Sequence, residues 1–225
     1  MSDLKPLILH GLIGPPNPTK VALVLSELDL PYEVRNYEHH EAKQEPFLSL
    51  NPNGRFPALE DPNTDIVLWE SGAIIDYLID TYDKAHKLSY ATFPEKHLAR
   101  CWEHFQMSGQ GPYFGQKAWF SRLHPEKVPS AVDRYAAEIR RVTSVLDGHL
   151  KRQKEEQGNY CLVGDRVTYA DIMFVPWSVL VPIFAAPEMD LSEFEHYGAW
   201  LASLVERPAI KNIVDQVTNT YKVAG

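Results

Sequence analysis

The sequence predicts two halves of different fold class, an α/β half at the N-terminus and an all-helical half after it. Strand and helix signals alternate as far as residue 82, in the order βαβ, a polar connection and then ββα. Beyond residue 87 the strand signals nearly vanish, and apolar residues recur at helical spacing. We therefore place the boundary at residues 84–93 and predict domains at 1–87 and 93–225.

The first predicted unit is a βαβ element. Residues 6–9 form a short apolar run of strand length, and a turn rich in Gly and Pro follows it. Asn17 and Pro18 then open a helix, since Asn is a favoured N-cap and Pro suits the first helical position. The helix closes at Pro31, and the alternating residues 32–36 predict a second strand.

A polar connection at residues 38–46 separates this unit from a predicted hairpin. It indicates a loop or a short irregular helix. Residues 56–60 and 66–69 have strand character, and a turn-rich DPNTD segment joins them. Ser71 begins the next helix, whose apolar residues share one face.

The second half shows three helical stripes and one N-terminal capping signal. Thr168 with Asp171 three residues later is typical of a capping box, with Asp where Glu is commoner. The helix that they open is apolar on all sides, so we expect it to be buried. The stripes are Leu98, Cys101, Trp102 and Phe105; Tyr135, Ile139, Val142 and Leu146; and Tyr197, Trp200, Leu201 and Leu204, ending before Arg207 and Pro208.

Composition excludes several classes of partner. A formal net charge of −8 disfavours nucleic acid and anionic membranes, because phosphates repel such a surface. The N-terminal apolar stretch is too short and too broken by Gly and Pro for a signal peptide or a membrane span. Cys101 and Cys161 match no metal or redox spacing. We expect a cytoplasmic protein without a metal, nucleic-acid or membrane partner.

Three segments resemble those of the glutathione transferases. Residues 51–61, NPNGRFPALED, resemble the segment that contains that family's characteristic proline. Residues 68–78, LWESGAIIDYL, resemble its Glu-Ser motif, and residues 164–172, GDRVTYADI, resemble the cap of its central C-terminal helix. The resemblance implies a thioredoxin-like glutathione-binding domain followed by an all-α domain, with glutathione as co-substrate.

Two further segments resemble one branch of that family. PPNPTKV after the first strand and SGQGPYFGQ at residues 108–116 are similar to the fungal and bacterial group related to the yeast nitrogen-regulator prion protein. The short stretch before the first strand does not resemble that regulator's Asn/Gln-rich extension. This favours a homodimeric enzyme that conjugates glutathione or reduces disulfides. The alternative is a non-catalytic binding or regulatory protein with the same fold.

The resemblance implies roles for residues around the two strands of the hairpin. Glu70 suits the ammonium of glutathione, and Ser71 with its helix start suits the γ-glutamyl carboxylate. Alternatively, both residues serve only the helix end. Pro57 is expected to be cis, which would let Phe56 pair with the tripeptide backbone as an added strand; an ordinary trans edge proline is the alternative.

Cations near this strand are candidates for the glycine carboxylate. Arg55, Lys43 and His40 are the candidates, with Lys43 the best placed by register, although each could simply be solvated. Arg134 matches a position from which the resembled branch sends an arginine across the dimer to glutathione. An exposed helical arginine is the alternative for Arg134.

Asn17 occupies the place where the resembled branch uses an Asn to stabilise the thiolate. The loop before it carries no Tyr, Ser or Cys. An amide N–H can donate to a thiolate, but it cannot accept the thiol proton or form a disulfide. The competing role of Asn17 is the helix cap, and Thr19 is the reserve candidate.

Aromatic residues of the second half are candidates for the wall of a second-substrate pocket. Tyr113, Phe114 and Trp119, with Phe120 beside them, lie in one apolar stretch. Aromatics at helical spacing also build cores, and the sequence leaves that alternative open.

Overall fold

The computed structural model describes residues 4–223, which form two compact units. One unit contains the described residues up to Leu88 together with the last helix, α9 (Pro208–Val223), and the other is Ser89–Arg207. The predicted ranges assigned everything after residue 93 to the helical half. The structure instead groups α9 with the N-terminal unit.

The N-terminal unit is a small mixed α/β fold, as predicted. Its further elements are β1 (Leu7–His10), α1 (Pro16–Glu27), β2 (Tyr32–Arg35), a 3₁₀ turn (His39–Lys43), α2 (Phe47–Leu50), β3 (Ala58–Asp61), β4 (Ile66–Trp69) and α3 (Ser71–Tyr82).

The four strands form one sheet in the order β2-β1-β3-β4. β1 pairs with β2 in parallel, as the βαβ prediction requires, and β3 pairs with β4 as the predicted antiparallel hairpin. β1 and β3 are antiparallel, with Leu9 opposite Leu59. Both leucines are fully buried, which places the core of this unit against the central strands.

Two features of the N-terminal unit differ from the predictions. α1 begins one residue before Asn17, with Pro15 at the N-cap, so Asn17 is not the cap residue. Pro16 suits the first position of the helix, because the N–H that proline lacks would have no intrahelical acceptor there. α9 was not predicted, although Ile210, Val214 and Val217 are buried at helical spacing, and it packs on α1.

The second unit is helical throughout its regular elements, as expected. Short π-helical turns follow α4 and α5, at Gln106–Gln110 and Trp119–Leu123. The α-helices are α4 (Glu95–Phe105), α5 (Gly111–Ala118), α6 (Pro129–Gln157), α7 (Tyr169–Phe184) and α8 (Glu195–Val205).

α7 is the buried central helix, and the predicted capping box opens it. The Asp171 carboxylate accepts from the Thr168 N–H and hydroxyl, each at 2.9 Å. It also accepts from the Leu162 N–H at 2.9 Å and from the indole of Trp200 at 3.0 Å. One fully buried carboxylate therefore connects the start of α7 with the preceding loop and with α8.

The described residues contain neither a membrane-spanning helix nor a metal-binding cluster. Within residues 4–223 every helix is too short or too polar to cross a membrane. That same part of the chain holds no cluster of three or more His, Cys, Asp and Glu side chains arranged to bind a metal ion.

Candidate functional site

A polar pocket of about 100 Å³ lies in the N-terminal unit. Six of its lining residues were predicted from the sequence, and two asparagines were not. The predicted ones are Asn17, Arg55, Phe56, Pro57, Glu70 and Ser71, and the others are Asn51 and Asn53. The pocket thus combines one cation, one anion, amides and the start of a helix.

Asn17 enters the pocket from the first turn of α1. Its side chain is exposed and makes no capping hydrogen bond. The conflict between capping and a role in the pocket therefore does not arise. Its amide and the positive end of the α1 dipole lie at the same side of the pocket.

Thr19, the reserve candidate, has its hydroxyl committed to the loop before α1. The hydroxyl donates to the Pro15 carbonyl at 2.8 Å and accepts from the Gly14 N–H at 3.0 Å. A hydroxyl has a single proton to donate, so Thr19 has none left for a thiolate. Its contribution is to fix the turn that presents Asn17.

Close backbone packing holds the start of α1 beside Phe56. Gly11, the residue after β1, has φ +145°, and a Cβ there would come within 3.2 Å of Pro18 and 3.3 Å of Phe56. Only glycine combines this conformation with so close an approach. Asn17 and Phe56 therefore line the same pocket although they are far apart in sequence.

Phe56 is anchored by its ring. The ring packs edge-on against Phe47 at 4.7 Å and lies 5.7 Å from the Tyr37 ring, within a small aromatic cluster. The Phe56–Pro57 peptide bond is cis, as the resemblance implied. Because the partly buried ring packs against this cluster, the backbone of Phe56 is the part that can serve a ligand.

Glu70 and Ser71 line the pocket at the start of α3. Ser71 is the first residue of the helix and is buried, whereas the Glu70 side chain is exposed. The backbone of Glu70 has φ +67°, which is an uncommon conformation for a residue other than glycine. Its side chain makes no capping hydrogen bond. Strained backbone of this kind concentrates at functional sites. Together the pair brings a carboxylate and a helix start to one end of the pocket.

The loop between α2 and β3 forms the other wall. Asn51 donates from Nδ2 to the Arg55 carbonyl at 2.6 Å and accepts at Oδ1 from the Asn53 N–H at 2.9 Å. Neither Asn51 nor Asn53 was predicted from the sequence as a site residue. The signal was present, because Asn-Pro-Asn-Gly is typical of a turn closed by an asparagine side chain.

Lys43 is close to this wall but does not line the pocket. Its ammonium donates to the Asn53 carbonyl at 2.9 Å, and its side chain lies against Gly54. In the structure Lys43 braces the loop, and its predicted role toward the glycine carboxylate of glutathione stays a prediction. Arg55 is the cation of the pocket lining.

A part-buried polar network adjoins the aromatic cluster through Tyr37. The His10 ring is 2.8 Å from the Tyr37 hydroxyl through Nδ1 and 2.5 Å from Glu60 through Nε2. Burial lowers the pKa of His10 and raises the pKa of Tyr37, so a neutral imidazole faces a protonated phenol. Since a carboxylate only accepts, Nε2 carries the proton and Nδ1 accepts from Tyr37.

The predicted aromatic wall of the helical unit divides in the structure. Phe114 is 1% exposed and packs against Trp177 and Phe184, so it belongs to the core and its prediction as a pocket wall is wrong. Trp119 is 45% exposed, and Tyr113 is half-buried beside Tyr135. The helical spacing that suggested all three does not separate a core position from a surface one.

Arg134 lies near the start of α6 and forms an ion pair within that helix. Its guanidinium contacts Glu138 at 2.5 Å, and Arg141 binds the other oxygen of the same carboxylate at 2.8 Å. Both arginines lower the pKa of Glu138. The predicted role of Arg134 toward glutathione stays a prediction.

Comparison with known proteins identifies the class that this fold and pocket define. The glutathione S-transferase N-terminal domain model matches residues 5–80, and the C-terminal domain model of the same family matches residues 110–208. The chain belongs to the glutathione S-transferase family.

Individual relatives agree with the predicted branch. The chain is 45% identical to the glutathione S-transferase-like protein tpcF of Aspergillus fumigatus, over 94% of this chain and 96% of the relative. It is 36% identical to the protein URE2 of Meyerozyma guilliermondii, over 87% of this chain and 75% of the relative. The crystal structure of the glutathione transferase URE2P8 from Phanerochaete chrysosporium, with oxidized glutathione, has a TM-score of 0.88 at 40% identity and 99% coverage of both chains.

Proposed function

We propose that this protein is a glutathione transferase that binds glutathione in the N-terminal pocket and activates its thiol for attack on an electrophile or a disulfide. The observation that carries the proposal is that six residues chosen for binding glutathione line one pocket. They come from the start of α1, the loop before β3 and the start of α3. The structural relative URE2P8, whose crystal structure contains oxidized glutathione, supports the same proposal.

The polar groups of the pocket suit the two ends of glutathione. Glu70 offers a carboxylate to the γ-glutamyl ammonium, while Ser71 and the α3 start favour the adjacent carboxylate. Arg55 supplies a cation for the glycine carboxylate. The backbone of Phe56 pairs with the middle of the tripeptide.

Thiol activation in this proposal is electrostatic. The Asn17 amide and the α1 dipole stabilise the thiolate, and the thiol proton leaves to solvent. The thiolate then forms a bond to an electrophilic carbon, whose leaving group departs with the electron pair, or to a disulfide sulfur, which releases the other sulfur as a thiolate. The eight lining residues include no cysteine, so a mixed disulfide with the protein is not part of the reaction.

The remaining predicted roles complete the proposal. Tyr113 and Trp119 contact the second substrate, Arg134 serves glutathione bound to the partner of a homodimer, and the protein acts in the cytoplasm. The exposed Trp119 ring supports the first of these, since it leaves apolar surface available for contact.

Calorimetric titration with glutathione, together with assays on a chlorodinitrobenzene and on hydroxyethyl disulfide, tests the proposal. Asn17→Ala is expected to raise the pKa of bound glutathione by about one unit and to lower the rate at neutral pH about tenfold. The thiolate absorbance of the complex, followed against pH, measures that pKa. Asn36→Ala, an exposed asparagine outside the pocket lining, is the matched control.

The two parts of the proposal fail separately. Absence of glutathione binding and of turnover in both assays rejects the enzyme and favours the non-catalytic alternative. Wild-type thiol acidity and rate in Asn17→Ala would reject electrostatic activation by Asn17 alone.

A further inference from the structure

Every polar group of Asn51 makes a hydrogen bond, and together these bonds fix one loop of the pocket. Besides the two side-chain bonds to Asn53 and Arg55, its N–H donates to the Phe47 carbonyl at 3.0 Å, and its carbonyl accepts from the Gly54 N–H at 2.9 Å. The residue is 2% exposed. A buried asparagine with this many partners defines the loop conformation closely, because losing any partner leaves a buried polar group unsatisfied.

The bond to Arg55 sets the direction of the next N–H. The Arg55 carbonyl and the Phe56 N–H belong to one planar peptide unit, in which a trans bond points them in opposite directions. The Asn51 side chain holds the carbonyl end, so the N–H end faces away from Asn51. Within residues 4–223 the Phe56 N–H has no hydrogen-bond acceptor, and Phe56 lines the pocket.

A second brace acts on the same loop from outside. The Lys43 ammonium donates to the Asn53 carbonyl, and the tight approach of Lys43 and Ala42 to Gly54, at φ +59°, leaves no room for a Cβ. The loop is thus held on both sides of the Asn53–Gly54 peptide. Neither Asn51 nor Lys43 needs to touch a ligand for this effect.

We propose that Asn51 is a positioning residue, which orients the Arg55–Phe56 peptide so that the Phe56 N–H is ready to donate to the glutathione backbone. The inference rests on the proposed glutathione-binding function. Because the backbone pairs in the ground state and the transition state alike, losing this orientation weakens binding of glutathione and leaves the chemical step unchanged.

The test compares three variants with the wild type in calorimetry and steady-state kinetics. Asn51→Ala removes both side-chain bonds and is expected to raise the Kd and the KM for glutathione about tenfold. The kcat at saturating glutathione should stay within about twofold. Asn51→Asp keeps an acceptor for the Asn53 N–H but has no proton for the Arg55 carbonyl, so it should bind at least as weakly as Asn51→Ala.

Asn63→Ala is the matched control, because Asn63 also bonds backbone groups of its own unit, at Lys5, but does not line the pocket. It should keep the wild-type Kd. Thermal unfolding separates positioning from folding: a lowered Tm with unchanged Kd and KM in Asn51→Ala overturns the proposal. Wild-type affinity in Asn51→Asp also overturns it. A wild type that fails to bind glutathione refutes the proposed function instead.

Discussion

The two units differ in how much of their predicted site the structure brings together. In the N-terminal unit, residues from three separate segments meet at one pocket. In the helical unit, three aromatic residues from one segment separate into a core position, an exposed one and a half-buried one. The N-terminal residues were predicted from the family resemblance together with their match to the groups of glutathione, whereas the aromatic ones were predicted from their apolar character.

This difference follows from the physics of the two kinds of side chain. A polar group at a turn or helix end has few favourable arrangements, because its hydrogen bonds depend on direction. An aromatic ring on a helix is stabilised equally well by any apolar surroundings. Recognition chemistry is therefore easier to locate from sequence in the N-terminal unit than in the helical one.

The largest effect is expected from the core position of the helical unit. Phe114→Ala should lower the free energy of unfolding by about 3–5 kcal/mol, because it leaves a cavity beside Trp177 and Phe184. Urea denaturation measures the loss.

Trp119→Ala is the contrasting variant in the same segment. It should change stability by less than about 1 kcal/mol, since its ring is half exposed, and raise the KM for the electrophile. Equal stability losses in both variants would remove the distinction between core and surface positions drawn for this segment.

A smaller but still large effect is expected at Asp171, the polar counterpart of Asn51 in the helical unit. Each of its oxygens accepts two hydrogen bonds, so Asp171→Asn deprives two buried donors of their acceptor whichever way the amide turns. We expect a loss of about 2–3 kcal/mol in urea denaturation, with glutathione affinity unchanged.

Asp190→Asn is the control for Asp171→Asn. Asp190 also caps a helical turn, through Ser192, but in an exposed position. Its effect should remain below about 1 kcal/mol. A loss as small in Asp171→Asn would show that the buried carboxylate does not organise α7 and its neighbours.

The smallest effect concerns one histidine in each unit, the buried His10 and the partly buried His149. Burial lowers the pKa of His10 and of His149 in the folded protein. Below about pH 6.5 the unfolded chain therefore binds more protons than the folded one. Their contribution to stability is complete above that pH and is lost progressively as the pH falls from there through the lower pKa of each folded-state histidine.

Urea midpoints at pH 7.5 and 5.5 measure this contribution. His149 bonds the Leu162 carbonyl through Nε2 at 2.8 Å, a contact that a glutamine amide can replace. His149→Gln should reduce the loss of unfolding free energy between pH 7.5 and 5.5 by under about 1 kcal/mol. The part of that loss that comes from His10 should remain. An unchanged pH dependence would assign the loss to other groups.

The fold was predictable to the level of its two halves and most of its elements. The hairpin, the βαβ pairing and the capping box of α7 each have a local sequence signal, and all three are confirmed. α9 was not predicted, because the last predicted helical stripe ends before Arg207 and Pro208. A proline there instead occupies the first turn of a new helix.

The pocket was predictable mainly through the family resemblance. Asn17 was assigned to the helix cap from its residue type, and only the structure shows that Pro15 takes this place. Lys43 was chosen by register, but its contact with Asn53 depends on how the loop folds back. The Asn51 side chain makes hydrogen bonds to backbone groups, and the sequence alone does not show which backbone groups a side chain will reach.

The grouping of α9 with the N-terminal unit has a consequence for how the protein is made. The ribosome completes residues 4–88 long before it reaches Pro208, so α1 emerges without the helix that packs on it. Ile210, Val214 and Val217, which are buried in the finished protein, are added only after all of Ser89–Arg207. The unit that carries the pocket is therefore begun before the helical unit and completed after it.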